Sequence, residues 1–492
     1  MSAYNMLDIV MKDILQVVTP VQEDWEVRFA IINDLRRVVE SVASLRGATV
    51  EPYGSFVSNL FTRWGDLDIS VELLNGSHIP STGRKQKQVL LGDLLKALRK
   101  KGGWNSLQFI FNARIPILKL KNNRQSISCD ISMNNLEAQM KSKILFWINR
   151  IDGRFRDMVL LVKEWAKAHK INDSKAGTFN SYSLSLLVIF HFQTCVPAIL
   201  PPLNVIYPGN MVDDLIGVKV DAENHIAETF DANINRFISD KSRPINRKSV
   251  PELFVEFVRK FAQMSSWASE LGISPYNGQW EQIKNNMRWL PKTYAVFVIL
   301  CSLEHHLVSL GVEDPFEQPQ NTARSVNQGK LEKITNAFLD TYSLLTSKNL
   351  NQSSILTSLA PPEVAMIIAK PVIPDYNGGY YHHRTPPQVQ RALLPHPHPH
   401  PHPRPYPQLR PQEQPPPSRR SQNGSRGTSS NGSTSRDPHS HPRPYPQLHP
   451  QEQPPPPRRS QNGSRATSTT GSTSKGPVQS QQGQQIWRQK TQ

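Results

Sequence analysis

Gly54-Ser55-Phe56-Val57-Ser58-Asn59-Leu60-Phe61-Thr62-Arg63-Trp64-Gly65-Asp66-Leu67-Asp68 is the stretch whose reading decides the fold. It has the form of a phosphate loop followed by a metal-binding strand. Upstream, Ala48 to Tyr53 reads as a short extended run. Gly54 has no Cβ, so its backbone can approach a ligand closely. Ser55 opens an expected helix from Phe56 to Phe61, which would aim free N–H groups and a hydroxyl at a phosphate. After Arg63-Trp64-Gly65, the segment Asp66 to Glu72 alternates strictly. Leu67, Ile69 and Val71 take one face; Asp66, Asp68 and Ser70 take the other. Two carboxylates one residue apart on one face repel each other, and a divalent cation relieves that repulsion.

An exposed, solvated pair would account for Asp-x-Asp alone. The upstream Gly-Ser and a third acid argue for more. In Ser126 to Ser132, Ile127, Cys129 and Ile131 form the apolar face and Ser128, Asp130 and Ser132 the polar one. Two neighbouring strands carrying acids on the same face bring three carboxylates together. That is the ligand set for two metal ions flanking an in-line phosphoryl transfer.

Gly54-Ser55, Asp66-x-Asp68 and Asp130 resemble the signature of the polymerase-β-like nucleotidyltransferases. The chain is identified in finer detail as similar to the noncanonical poly(A)/poly(U) polymerases, and within them to plant terminal uridylyltransferases that tail small RNAs. Leu60 to Ser70 and Gly177 to Leu184 carry the finer match, over roughly residues 5 to 345. The resemblance implies Mg²⁺ or Mn²⁺ on Asp66, Asp68 and Asp130. It implies untemplated uridine addition from UTP to RNA 3′ ends, with Asp130 helping to deprotonate the 3′-OH. The implied substrates are unmethylated small RNAs and cleavage fragments, marked in this way for degradation. An Argonaute partner, a monomeric state, and residence in the cytoplasm (RNA granules included) and nucleus are implied too. Two other readings stay open: poly(A) addition, and an inactive RNA-binding scaffold.

Further site positions follow from the same likeness. Lys163 and Lys167, four apart on one helix face, match triphosphate-binding lysines. On their own they would read as a solvated pair. Ser181 matches a triphosphate contact and Tyr182 the ring that stacks on the base; stacking tolerates any base. Asn135 matches a base-contacting asparagine and Ser142 a ribose contact. A neighbouring family asparagine corresponds to Lys141, a departure. In Glu313 to Asn321 and on to Arg324, Asp314, Glu317 and Arg324 match the nucleotide recognition motif. Gln320 stands where some uridylyltransferases carry a histidine that separates UTP from ATP. Residues 299–312 interrupt the resemblance and read as an atypical insertion beside that loop, able to displace it.

The 492 residues allow two or three domains. The expected fold class is α+β: a nucleotidyltransferase palm plus a helical central (PAP-associated) domain. Expected boundaries are an N-terminal helix, 1–22, packing on the central domain; a catalytic domain, 23–142; the central domain, 143–346; and a disordered Pro-rich tail, 347–492. Helices are expected over 4–18, 24–45, 84–101, 137–149, 154–169, 180–195, 222–238 and 250–270, from apolar residues at helical spacing. Net charge is +17, but from Arg391 onward there are 14 basic and 3 acidic residues, so most of the excess lies in the tail. That tail alternates Pro and His over 395–403 and repeats a 39-residue unit: Pro403 to Leu409 returns as Pro442 to Leu448. Such composition cannot bury a core. Cys129, Cys195 and Cys301 are too scattered for a disulfide framework. No apolar run is long enough to span a bilayer, so no membrane role is expected.

Overall fold

Strand alternation and helical periodicity resolve into two hydrophobic cores. The computed structural model describes residues 3–73, 78–79, 82–123, 127–283 and 310–369. All of them belong to one contact unit, Met1–Tyr380; the second unit, Tyr381–Gln492, lies outside the described residues. The expectations for the repeats, the Pro-His run, Cys301 and residues 299–309 therefore fall outside them too.

In chain order the elements are α1 (Ala3–Val18), α2 (Gln22–Glu40), β1 (Thr49–Tyr53), α3 (Gly54–Val57), β2 (Leu67–Glu72), α4 (Arg84–Lys101), β3 (Trp104–Ile110), β4 (Ile117–Asn122) and β5 (Ser128–Met133). Then come α5 (Leu136–Ile148), α6 (Arg154–Ala168), α7 (Ser181–Thr194), α8 (Leu203–Ile206), α9 (Met211–Asp214), α10 (Lys219–Ser239), α11 (Val250–Phe261) and α12 (Met264–Trp267). A hairpin, β6 (Leu271–Ser274) and β7 (Gln279–Gln282), precedes α13 (Gln328–Leu345), α14 (Gln352–Leu359) and α15 (Pro362–Ala369).

The palm sheet runs β1-β2-β5-β4-β3, with β2 and β5 parallel and its other pairs antiparallel. Leu67, Ile69, Val71, Leu118, Leu120, Cys129 and Ile131 are buried on one face. They join Ile31, Leu35, Val38 and Val39 of α2 and Leu91, Leu94 and Leu98 of α4 in one core. The polar residues between them are left on the opposite face, where the acids lie.

The second core is helical. In α7 nearly every side chain is buried, so it is apolar around most of its circumference, and α6 buries the continuous run Met158 to Ala166. Trp165 sits at its centre; its Nε1 donates to Thr341 Oγ1 at 2.8 Å, and its ring lies 4.6 Å from Phe338. Leu7, Val10, Met11, Ile14 and Val18 of α1 belong to this core, not to the palm core.

Several boundaries differ from expectation. The helix expected over Phe56–Phe61 is a single turn, Gly54–Val57, whose N-cap is Tyr53, because Asn59 at φ 57° takes the left-handed conformation that stops it. The 24–45 helix ends at Glu40 and resumes only as a 3₁₀ turn over Ala43–Leu45. The 250–270 helix stops at Phe261; the chain then makes the one-turn helix α12, Met264–Trp267, and a turn before β6. Its start is as read: Ser249 and Glu252 close a capping box, with Pro251 in the first turn. Order does not end at 347. Ile355, Leu359 and Val364 of α14 and α15 are buried in the helical core. The tail boundary at 347 was drawn too early by some twenty residues, because two eight-residue helices carry too few apolar positions to show a clear period.

Candidate active site

The strand registers assemble a row across the sheet. Asp68 is opposite Tyr53 on β1 and opposite Asp130 on β5, and Asp130 is opposite Lys119 on β4. Asp66 precedes β2 at the mouth of the same face. Lys119 Nζ lies 3.2 Å from Asp66 Oδ2 and 3.0 Å from Asp130 Oδ1, so one ammonium bridges two of the acids. Burial, with Asp130 and then Asp66 adding repulsion, pushes the Asp68 carboxyl up to about 7; Lys163 and Lys119 oppose this.

Two local devices place these acids. Arg28 of α2 is fully buried, its guanidinium 4.5 Å from the Phe61 ring. It donates to the carbonyls of Arg63 (3.0 Å) and Gly65 (2.7 Å), fixing the turn that leads into Asp66. Gly54, at φ 69°, faces Asp68: a Cβ there would stand 2.0 Å from Asp68 Oδ2. Gly54 is therefore needed for the close approach of Asp68, where the sequence suggested close approach to a ligand. Its N–H, however, is not free for phosphate. It donates at 2.7 Å to Ser142 Oγ, which donates to Ala138 O at 2.6 Å. The Ser142 hydroxyl is thus committed to backbone, where a ribose contact was expected. The Ser55 hydroxyl has no hydrogen-bond partner among the described residues.

Residues that can hold divalent cations are present, although among the described residues no three acidic, imidazole or thiol groups stand together as a ready ligand cluster. The donor set still fits. Asp130 Oδ1 is buried without a hydrogen bond of good geometry, Asp68 stands next to it in register, and hard carboxylate oxygens are what Mg²⁺ and Mn²⁺ take. Lys119 lies between Asp66 and Asp130.

The other expected residues fall into three places. Lys163, buried, donates to Leu60 O at 2.7 Å; burial pulls it down to about 8, against the attraction of Asp68. Lys167 pairs with the buried Glu164 at 2.6 Å. Ser181 lies at the start of α7, its hydroxyl 3.4 Å from Asn172 Oδ1. Asn135 is buried beside the sheet, its N–H shared between Ser70 Oγ and Glu72 Oε1, its Nδ2 3.4 Å from Ser132 Oγ. Tyr182, Asp314 and Glu317 meet in one cluster: Tyr182 Oη donates to Asp314 Oδ1 at 3.0 Å, and Lys141 joins Asp314 to Glu317. Arg324 is exposed and, among the described residues, donates to the Asn321 carbonyl at 3.3 Å. Of the insertion, residues 310–312 are among the described ones. Leu310 and Val312 are fully buried, and Val312 bridges Ile273 of β6.

Lys119, Arg28 and Arg114, which pairs with Glu317 at 3.0 Å, were missed by the sequence reading. Lys119 had a signal: in Ile117-Leu118-Lys119-Leu120 the two leucines are core, so the lysine must share the face of the acids. Arg28 had none, since a lone arginine on an amphipathic helix reads as solvated.

The family described as Poly(A) RNA polymerase, mitochondrial-like, central palm domain matches residues 7–149. Protein HESO1 of Arabidopsis thaliana is 57% identical over 356 residues, which are 72% of this chain and 67% of HESO1. The chain belongs to the plant terminal uridylyltransferases, a branch of the noncanonical poly(A)/poly(U) polymerases. More distant relatives include the terminal uridylyltransferase cid1 of Schizosaccharomyces pombe, 25% identical over 66% of this chain and 76% of cid1. Poly(A) RNA polymerase GLD2 of Danio rerio is 28% identical, and the match spans only 58% of its length. Among solved structures, a cytoplasmic RNA terminal U-transferase (23% identity, TM-score 0.54, 73% of this chain and 99% of that one) shares the fold. So does mtPAP in complex with UTP (19%, TM-score 0.54, 75% and 72%). In this uridylyltransferase the palm, the helical domain and the row of acids thus occur together, and nucleotidyltransferases of this fold generally use divalent metals.

Proposed function

We propose that this uridylyltransferase adds untemplated uridines from UTP to the 3′ ends of small RNAs that lack a terminal 2′-O-methyl group, and of cleavage fragments. The observation that carries this reading is the parallel register of Asp68 with Asp130, with Asp66 at the strand mouth. In that arrangement the RNA 3′-oxygen attacks the α-phosphorus, the bond to the β-phosphate oxygen breaks, and pyrophosphate leaves. Asp130 is assigned to take the 3′-OH proton. Asp66, Asp68 and Asp130 would hold Mg²⁺ or Mn²⁺, which supply charge neutralisation for the attacking and leaving oxygens. Lys163, Lys167, Ser181 and Ser55 are assigned to the triphosphate, and Tyr182, Asn135, Asp314 and Glu317 to the nucleoside. A 2′-O-methyl group would crowd the attacking oxygen, which favours a free diol. A monomer acting beside an Argonaute protein in cytoplasm and nucleus fits this substrate class.

The test is incubation of purified protein with an end-labelled oligoribonucleotide and each nucleoside triphosphate separately, with Mg²⁺, Mn²⁺ or EDTA. Addition of U-tails, lost in EDTA and in the Asp66→Ala/Asp68→Ala double variant with its melting curve retained, is expected. Tailing by the double variant would refute the site, and A-tails in place of U-tails would refute the base preference.

A further inference from the structure

Lys141 on α5 departs from the family pattern, and its surroundings define a job for it. Its Nζ donates at 2.6 Å to both Asp314 Oδ2 and Glu317 Oε2. The other oxygens of those acids are also taken. Asp314 Oδ1 accepts from Tyr182 Oη at 3.0 Å and from the Phe316 N–H at 3.1 Å. Glu317 Oε1 accepts from Arg114 at 3.0 Å. Two carboxylates therefore face two cations, and the cluster is neutral. Lys141 keeps its charge despite burial, because Asp314 and Glu317 outweigh desolvation.

An ammonium has three N–H groups. Two are committed, and the third has no partner among the described residues. Nζ stands 5.6 Å from the centre of the Tyr182 ring. The ammonium, its position fixed by two carboxylates, lies over that ring, within reach of the edge of a base stacked offset on it. Such a donor favours a carbonyl oxygen and repels an exocyclic amino group. Uracil carries two carbonyls and no amino group; adenine and cytosine carry an amino group.

We infer that Lys141 is a specificity-determining residue that selects uracil by donating its remaining N–H to a carbonyl oxygen of the base. This rests on the nucleotidyltransferase reading and deepens it. The role differs from that of a latch holding the Asp314–Glu317 loop to α5, which would bind all bases alike.

The test compares kcat/KM for UTP, ATP and two UTP analogues, one lacking the 4-oxo and one the 2-oxo oxygen, in wild-type, Lys141→Gln and Lys141→Arg proteins. Lys141→Arg keeps the charge and so guards against simple unfolding, followed by thermal melting. Wild type should lose at least tenfold with one analogue, in line with a hydrogen bond from a charged donor. That loss should shrink to under threefold in Lys141→Gln, and the UTP-to-ATP preference should fall with it, while Lys141→Arg, which keeps a cationic donor, should retain more of both. If both analogues suffer the same loss in wild type and variants, or if the variants slow every nucleotide equally, the inference is overturned and Lys141 is a latch. Should wild type add no nucleotide at all, the broader reading fails along with it.

Discussion

Gly54 is the residue on which the acids depend most directly. Any side chain there must occupy the place of Asp68 Oδ2, 2.0 Å from an ideal Cβ, and must also adopt φ 69°. The backbone strain alone costs about 1 kcal/mol, but the displaced carboxylate matters more. Gly54→Ala is expected to lower kcat for uridine addition by at least 100-fold, since ångström-scale misplacement of a reacting group has that effect. Its melting temperature should drop by only a few degrees. Steady-state kinetics with a melting curve checks this, and near-normal kcat would mean that Asp68 has freedom to move. Ser142 makes the complementary point. Its hydroxyl is tied to Gly54 and Ala138, so it helps hold the loop that Gly54 begins.

Among elements, the strands were the most legible. Alternation in 66–72 and 127–132 told which side chains face the helices and which face the site, because a half-buried strand has only two faces. Pairing partners were not legible: nothing within Ile115 to Leu120 says that β4 lies next to β5, and so Lys119 was overlooked beside Asp130. The short stop at Asn59 was hidden for a similar reason, since a left-handed residue leaves little trace in composition. The terminal helices α14 and α15 show what local pattern omits. Their apolar faces are completed by α1, more than three hundred residues earlier. Ile355, Leu359 and Val364 bury almost all their surface there. At about 1.5–3 kcal/mol per buried aliphatic side chain, removing residues from 348 onward should cost roughly 5 kcal/mol. Chemical denaturation of a chain ending at 347 measures this. Unchanged stability would show that α1 holds without its partners.

At the scale of the whole molecule, stability has a titrating component away from the site. His191 on α7 lies between aromatic rings, 5.8 Å from that of Phe257 and 6.1 Å from that of Phe192. Neither ring nitrogen makes a hydrogen bond of good geometry. Burial pushes its pKa down to about 3, and Lys260 adds to the effect. The folded state therefore refuses a proton that the unfolded chain accepts near 6.5. This part of the stability is complete above about pH 6.5 and is lost as pH falls toward 3, at about 1.4 kcal/mol per pH unit. His191→Leu should flatten the stability profile between pH 6.5 and 4.5 by about 2–3 kcal/mol. Equilibrium urea unfolding at several pH values is the check, and parallel profiles for the two proteins would exclude His191.

Lys119 also changes the electrostatic balance of the row of acids. Its ammonium, resting against Asp66 and Asp130, sets one positive charge beside three carboxylates, so the positive charge that still has to be supplied to that face is smaller than the acids alone would demand.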